Sequence, residues 1–374
     1  MARAEVHIQQ PKCWWNTSEL YLPKDGGLRK EASSCSLPTT MQRVKPLVSN
    51  TGPIKVGTGM FKLRYKADRR TLGFVGFYFF LLIFQWVTVP TNPWVAVPLF
   101  IATCIWSWFC AIITHNTIHC PIFKNKKMNS WFQVILSLTY GNPVSSYVSG
   151  HNLSHHRHTQ KPKDIMRTTK VRFSWNFLNL LFFFPSVIPA IVSNDYQFSK
   201  MMKKRLPRWH RQFMLESAVF YGVSVGLLLL DWQKFLIYWF VPHIWAAWGI
   251  VSINFLQHDG CDEDSKYNHS RNFVGHVFGW FTFNNGFHTI HHMRPGLHWS
   301  LLREIHDRDV VPHMHPALNQ ASIFRYSFEA FIYPAKRMRY DGSPLVLPNS
   351  EKDQDWFPRL GESIPAGDLG AEGA

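Results

Sequence analysis

The chain has 374 residues, with 40 Lys and Arg against 24 Asp and Glu, a formal charge of +16, 30 Phe and 16 Trp. Despite that aromatic load its mean hydropathy is slightly negative, which argues against an evenly mixed soluble core and fits apolar blocks diluted by polar tails. The cationic excess could mark a nucleic-acid partner, but the charges sit beside apolar blocks, where basic residues face anionic lipid and fix orientation, so no nucleic acid is expected.

Residues 1–65 read as a flexible tail, without an apolar run of signal-peptide length. Four segments then have the length and apolarity to cross a bilayer, for which about 20 residues are needed. They are Leu72 to Pro90, Pro93 to Ile113, Phe213 to Leu230 (carrying only Glu216) and Phe235 to Leu256 (carrying only His243). Two interrupted stretches, Trp131 to Val148 and Trp175 to Ser193, are expected to lie against the membrane without crossing it. The links between the first two and the last two spans are short, so each pair reads as a hairpin. Lys62, Arg64, Lys66, Arg69 and Arg70 precede the first span, and Lys124, Lys126, Lys127, Lys203, Lys204 and Arg205 lie between the second and third. By the positive-inside rule that face is cytoplasmic. From about Tyr340 the chain is rich in Pro, Gly and acidic residues and reads as disordered at its end. The expected divisions are 1–65, 66–310 and 311–374.

None of the six cysteines, Cys13, Cys35, Cys104, Cys110, Cys120 and Cys261, forms a C-x-x-C pair. Two fall inside a span, so a disulfide framework is not expected.

Nineteen histidines occur, and their spacing carries the chemistry. His115 and His119 form H-x-x-x-H just beyond the second span, a spacing that sets both rings on one helix face. His151, His155 and His156 form H-x-x-x-H-H; His288, His291 and His292 form H-x-x-H-H; His258 ends the fourth span. Imidazole suits Zn, Cu, Fe and Ni. Nine ligands exceed the four to six positions of one ion, and zinc rarely needs more than four, so two redox metals are implied. No Glu-x-x-His and no H-E-x-x-H occurs, which excludes the soluble di-iron carboxylate bundles and the zinc proteases. His7, His210, His313 and His315 read as surface residues. His158, His269, His276 and His298 are spare histidines near the boxes, and Asp164 and Arg167 are placed to orient ligands.

The boxes HNTIH at 115–119, HNLSHH at 151–156 and HTIHH at 288–292 resemble those of the membrane fatty acid desaturase superfamily, from about Leu72 to Ile305. The resemblance implies an all-α integral membrane protein with four transmembrane helices in two hairpins and a cytoplasmic helical cap carrying a histidine-ligated di-iron site. It implies two iron ions held by His115, His119, His151, His155, His156, His258, His288, His291 and His292, with Asn254 near His258. It also implies O2 as co-substrate and removal of hydrogen from an unactivated methylene of a fatty acyl or other lipid substrate. The product is then a double bond or, on a hydroxylase or ketolase reading, an oxygenated carbon. No His-Pro-Gly-Gly motif is present, so electrons are expected from a separate small cytochrome b or a ferredoxin. The lipid bilayer is the other partner, with the endoplasmic reticulum the expected site in a eukaryote and a plastid or bacterial inner membrane the other settings. Trp106, Trp239 and Trp248 are candidates to line an acyl slot. A metal transporter is the remaining class, but only Glu216 and His243 lie within the spans.

Overall fold

A computed structural model describes Gly59, residues 61–358 and residues 362–372; residues 1–58 of the expected tail, with His7, Cys13 and Cys35, lie outside the described residues. Helix α1 (Asp68–Thr88) is followed by α2 (Pro93–His119). Asn92 accepts a hydrogen bond from the Trp94 amide and Pro93 fills the first helical position, a start signal that needs no tertiary help. Helix α2 runs on past the expected span end at Ile113 and carries the first histidine pair in its last turns. Helix α3 (Lys126–Tyr140) ends at Gly141, whose φ of 89° and contact with the His243 ring leave no room for a Cβ. At 15 residues it falls short of the roughly 20 needed to span.

A π-helical turn, Val148–His155, continues into the short α4 (His156–His158). Next come α5 (Asn176–Arg205) and α6 (Pro207–Leu230), then α7 (Trp232–Lys234), a π turn over Phe235–Phe240 and α8 (Val241–His258), which together make one 27-residue rod. The cap holds a two-residue parallel pair, β1 (Asn272–Phe273) with β2 (Asn319–Gln320). It also holds α9 (His276–Phe281), α10 (His288–Met293), α11 (Leu302–Asp309) and α12 (Ile323–Ser327). Gly286 lies where any side chain would strike the Phe273 carbonyl, so β1 and the approach to α10 can cross only there.

Among the described residues five helices, not four, have the length and apolarity to cross a membrane. The extra one is α5. The stretch expected as a short interfacial segment is a continuous 30-residue helix through Pro185 and Pro189. Beyond residue 310 the expected tail also packs. Arg337 pairs with Asp259 at 2.9 Å and donates to the Thr168 carbonyl. Over Ala366–Glu372, Leu369 is buried and the Asp368 carbonyl accepts from Asn152. Its acidic and Pro-rich composition suggests solvation, but the acids find arginines on the cap.

Glu216 explains its own presence in an apolar helix. Three donors, the Ser145 amide at 2.7 Å, the Ser145 hydroxyl at 3.1 Å and Gln212 at 2.8 Å, converge on its two oxygens, a pattern that suits a fully buried carboxylate. The contact holds α6 against the segment leading to His151. Glu216→Ala should strand buried donors at about 1–3 kcal/mol each; thermal unfolding of the detergent-solubilised protein should show a clearly lowered midpoint, and an unchanged midpoint would remove this role.

Candidate metal centre

The nine histidines singled out in the sequence come together from four separate parts of the chain. Nitrogens of His115, His119, His151, His156 and His291 form one group, all within 4.8 Å of one another, and His155, His258, His288 and His292 form a second. Local structure decides which ring joins which group. On α2 the pair His115 and His119 are one turn apart with ring centres at 5.4 Å. In the π turn the His156 amide bonds to the His151 carbonyl. This i to i+5 bond aligns those two rings, and their Nε2 atoms are 3.0 Å apart. His155, one residue earlier, therefore points into the other group. Helix α10 splits likewise, sending His291 to the first group and His288 and His292 to the second.

The second group has a property that hydrogen bonds alone do not satisfy. The Nε2 atoms of His258, His288 and His292 lie 2.9, 3.1 and 3.2 Å from one another. Each such nitrogen carries either a proton or a lone pair, so a triangle must contain at least one like pair. The outer contacts fix the protons further. His258 Nδ1 faces the His269 carbonyl at 3.1 Å, and His155 Nδ1 faces the Asp164 carboxylate at 2.9 Å; both partners accept only. The Thr159 hydroxyl donates to the His155 carbonyl, which leaves it to accept from His292 Nδ1 at 3.3 Å. With Nδ1 protonated toward these outer acceptors, His258 and His292 turn Nε2 inward, and His155 Nε2 has no protein partner. A cation at a metal–nitrogen distance of about 2.1 Å sets neighbouring nitrogens about 3.0 Å apart in an octahedron and about 3.4 Å in a tetrahedron. The residues fit a metal ion. Five nitrogens in the first group exceed the four that structural zinc takes.

Burial, and then the surrounding imidazoles, holds His151, His156, His288, His291 and His292 well below the usual imidazole range. They are therefore neutral, the form that offers a lone pair. Burial acts to raise the Asp164 carboxyl, yet His155 and the amides of Gln160 and Met166 at 2.8 Å outweigh it and hold it low. Of the two residues expected to orient ligands, Asp164 touches a histidine and Arg167 does not; Arg167 pairs with Asp353.

The spare histidines divide. His269 supplies the carbonyl to His258, and burial, with His155 second, pushes its ring down to about 4. His298 bonds Asp68, which also accepts from Trp299 Nε1 at 3.0 Å and pins the start of α1 beneath the third box. His313 stacks on Tyr267 and His210 meets Ser199. His243 faces Tyr78 at 2.9 Å. Asp68 and Arg271 were not legible from spacing. The Arg271 guanidinium bonds the Leu256 and Asp259 carbonyls at 2.7 and 3.0 Å, filling the open end of α8 beside His258.

An apolar cavity of about 480 Å³ ends at His115, His151 and His288. Trp239 lines it; Trp106 packs on Phe74, and Trp248 bonds the Leu181 carbonyl. At its histidine end the Tyr147 hydroxyl and Asn254 Oδ1 are buried without protein partners, and Tyr147 has no recognisable spacing to flag it.

Asp164→Asn should leave the fold intact and weaken metal binding by about 10–100-fold, since the His155 ring loses its charged partner; metal content after dialysis against graded chelator measures this. Residues 92–322, well over half of the chain, match the family model described as fatty acid desaturase. A comparison with curated proteins yields no match. That family is known for a di-iron site, and the two histidine groups here are able to hold metal. The chain belongs to the fatty acid desaturase family and is an oxidoreductase of the desaturase and hydroxylase type.

Proposed function

We propose that the protein is an O2-dependent acyl desaturase holding two irons on His115, His119, His151, His156 and His291 and on His155, His258, His288 and His292. The observation that carries this reading is the apolar cavity walled at its inner end by three of those histidines. A hydrocarbon chain in that cavity would run directly to the metal ligands, which is the proximity that oxidation of a methylene needs. Bound there, the irons supply the oxidising power of O2 against an unactivated C–H bond. The chain's own residues do the rest. Asp164, the His269 carbonyl and Thr159 fix the ring orientations, the apolar walls exclude water, and Tyr147 and Asn254 offer polar atoms beside the ligands. Those two atoms also favour the second reading, a hydroxylase or ketolase, because an unpartnered hydroxyl suits an oxygenated product.

The four-span topology has a parity argument behind it. His151 and His258 face the same chamber, so an even number of crossings separates them. Helix α5 bonds cap elements from its first residue to well along its length: its Asp195 accepts from Ser149, its Asn194 from Trp356 at 2.8 Å, and its Asn176 donates to the Ala330 carbonyl. We read α5 as running along the membrane surface, with α1–α2 and α6–α8 as the crossing hairpins. The basic residues of that face put it in the cytoplasm, at the endoplasmic reticulum in a eukaryote. A separate small cytochrome b or ferredoxin would deliver electrons.

Expression in a host with profiling of its lipids should reveal acyl chains lighter by two hydrogens, or heavier by one oxygen on the second reading. His155→Ala and His292→Ala should abolish the product and lower bound iron, whereas His313→Ala should leave both near wild type. Unchanged lipids with full iron would defeat the proposal.

A further inference from the structure

We infer that the substrate chain enters the cavity sideways from the bilayer, through a gap between α5, α6 and α8, so that the substrate is a membrane-resident acyl lipid and not a water-soluble acyl thioester; this rests on the lipid-oxidase reading above. The cavity is not a closed tunnel. Four of its lining residues from those helices face outward: Val192 on α5 is 62% exposed, Tyr221 on α6 57%, and Phe240 and Ile244 on the α8 rod 46% each. Their exposed surface is apolar and continuous with the lipid-facing sides of the helices, so a chain passing between them stays in hydrocarbon throughout. From Trp239 to Asn254, both lining the cavity on one rod, the path is about 22 Å at 1.5 Å per residue. This exceeds the roughly 15 Å depth of one leaflet's hydrocarbon.

The alternative entrance is on the cap. A polar cavity of about 600 Å³ reaches His258 and His269 there, lined by Lys161, Arg167, Lys170 and Arg172. A thioester with a polyphosphate head would need those cations free. Lys161 pairs with Asp264 at 2.6 Å, Arg167 and Lys170 share Asp353, and Arg172 donates to the Pro348 carbonyl at 2.6 Å, while Arg339 and Lys352 also line this cavity. The acids Glu263 and Glu351 on the same walls would repel phosphate further. The two cavities share no lining residue, so an acyl chain entering from the cap would have to pass the histidines to reach the apolar cavity, whereas the membrane side opens into it directly.

The test reads position, not turnover. Full-length protein is placed in nanodiscs containing a phosphatidylcholine with a diazirine at one acyl terminus, irradiated, and its labelled peptides mapped. Label is expected on the cavity-lining stretch from Ala247 to Val251 as well as on lipid-facing residues such as Phe80. Val192→Trp should cut the interior label several-fold while sparing Phe80 and iron content. Ile244→Trp, on the opposite lip, should do the same, and neither needs its new ring buried. Interior labelling by the matching diazirine acyl-coenzyme A, equal in wild type and both variants, would overturn the inference, as would phospholipid labelling confined to the outer surface. Because labelling needs no chemistry at the metals, a failure of the desaturase reading would show separately, as unchanged host lipids.

Discussion

Imidazole lone pairs repel one another, and a buried group of them is costly unless a cation sits at the focus. The second histidine group is built around that constraint. His155, His258 and His292 are each turned by an acceptor on their outer side, the Asp164 carboxylate, the His269 carbonyl and the Thr159 hydroxyl. The orientation of the centre is therefore set from outside inward, before any metal arrives. Burial holds His156, His288 and His292 well below the usual imidazole range, so they do not disperse the groups by taking up protons.

The same logic extends to the next layer. Buried carboxylates, each from a different element, tie the chamber to the membrane helices. Asp68 at the start of α1 takes His298 and Trp299; Asp195 on α5 takes Ser149; Glu216 on α6 takes Ser145; and Asp259 after α8 takes Arg337. Acids inside or beside apolar helices are costly; here Asp68 and Glu216 each meet two or more donors, Asp259 meets Arg337, and Asp195 meets the Ser149 hydroxyl. They are anchors for the boxes, and this accounts for Glu216 without any transport pathway.

Two cavities approach the histidines from opposite sides and differ in chemistry. The membrane-side cavity is apolar and opens between α5, α6 and α8; the cap-side cavity is polar, and Lys161, Arg167 and Lys170 on its walls are paired with acids. Function is divided accordingly, with hydrocarbon on one side of the metal ligands and water-facing surface on the other. The first side is where a lipid substrate can wait and the second is where a soluble electron carrier can approach.

Spacing singled out eight of the nine histidines that meet in space, because i, i+3 and i, i+4 intervals fix which rings share a helix face, and His258 stood out by its place at the end of the fourth span. The apolar blocks likewise marked four of the five described helices long and apolar enough to cross a membrane, since length and composition decide membrane partition. Three things belong to the tertiary structure. The separation of adjacent His155 and His156 into different groups depends on a π turn held by contacts from α5 and α6, and no local pattern announces such a turn. The full length of α5 and the packing of residues beyond 310 depend on partners far away in the chain. Which acid orients which ring, Asp164 for His155 with Arg167 turned to Asp353, follows only once the distant segments are docked, because a hydrogen bond requires an approach of about 3 Å that sequence separation does not encode.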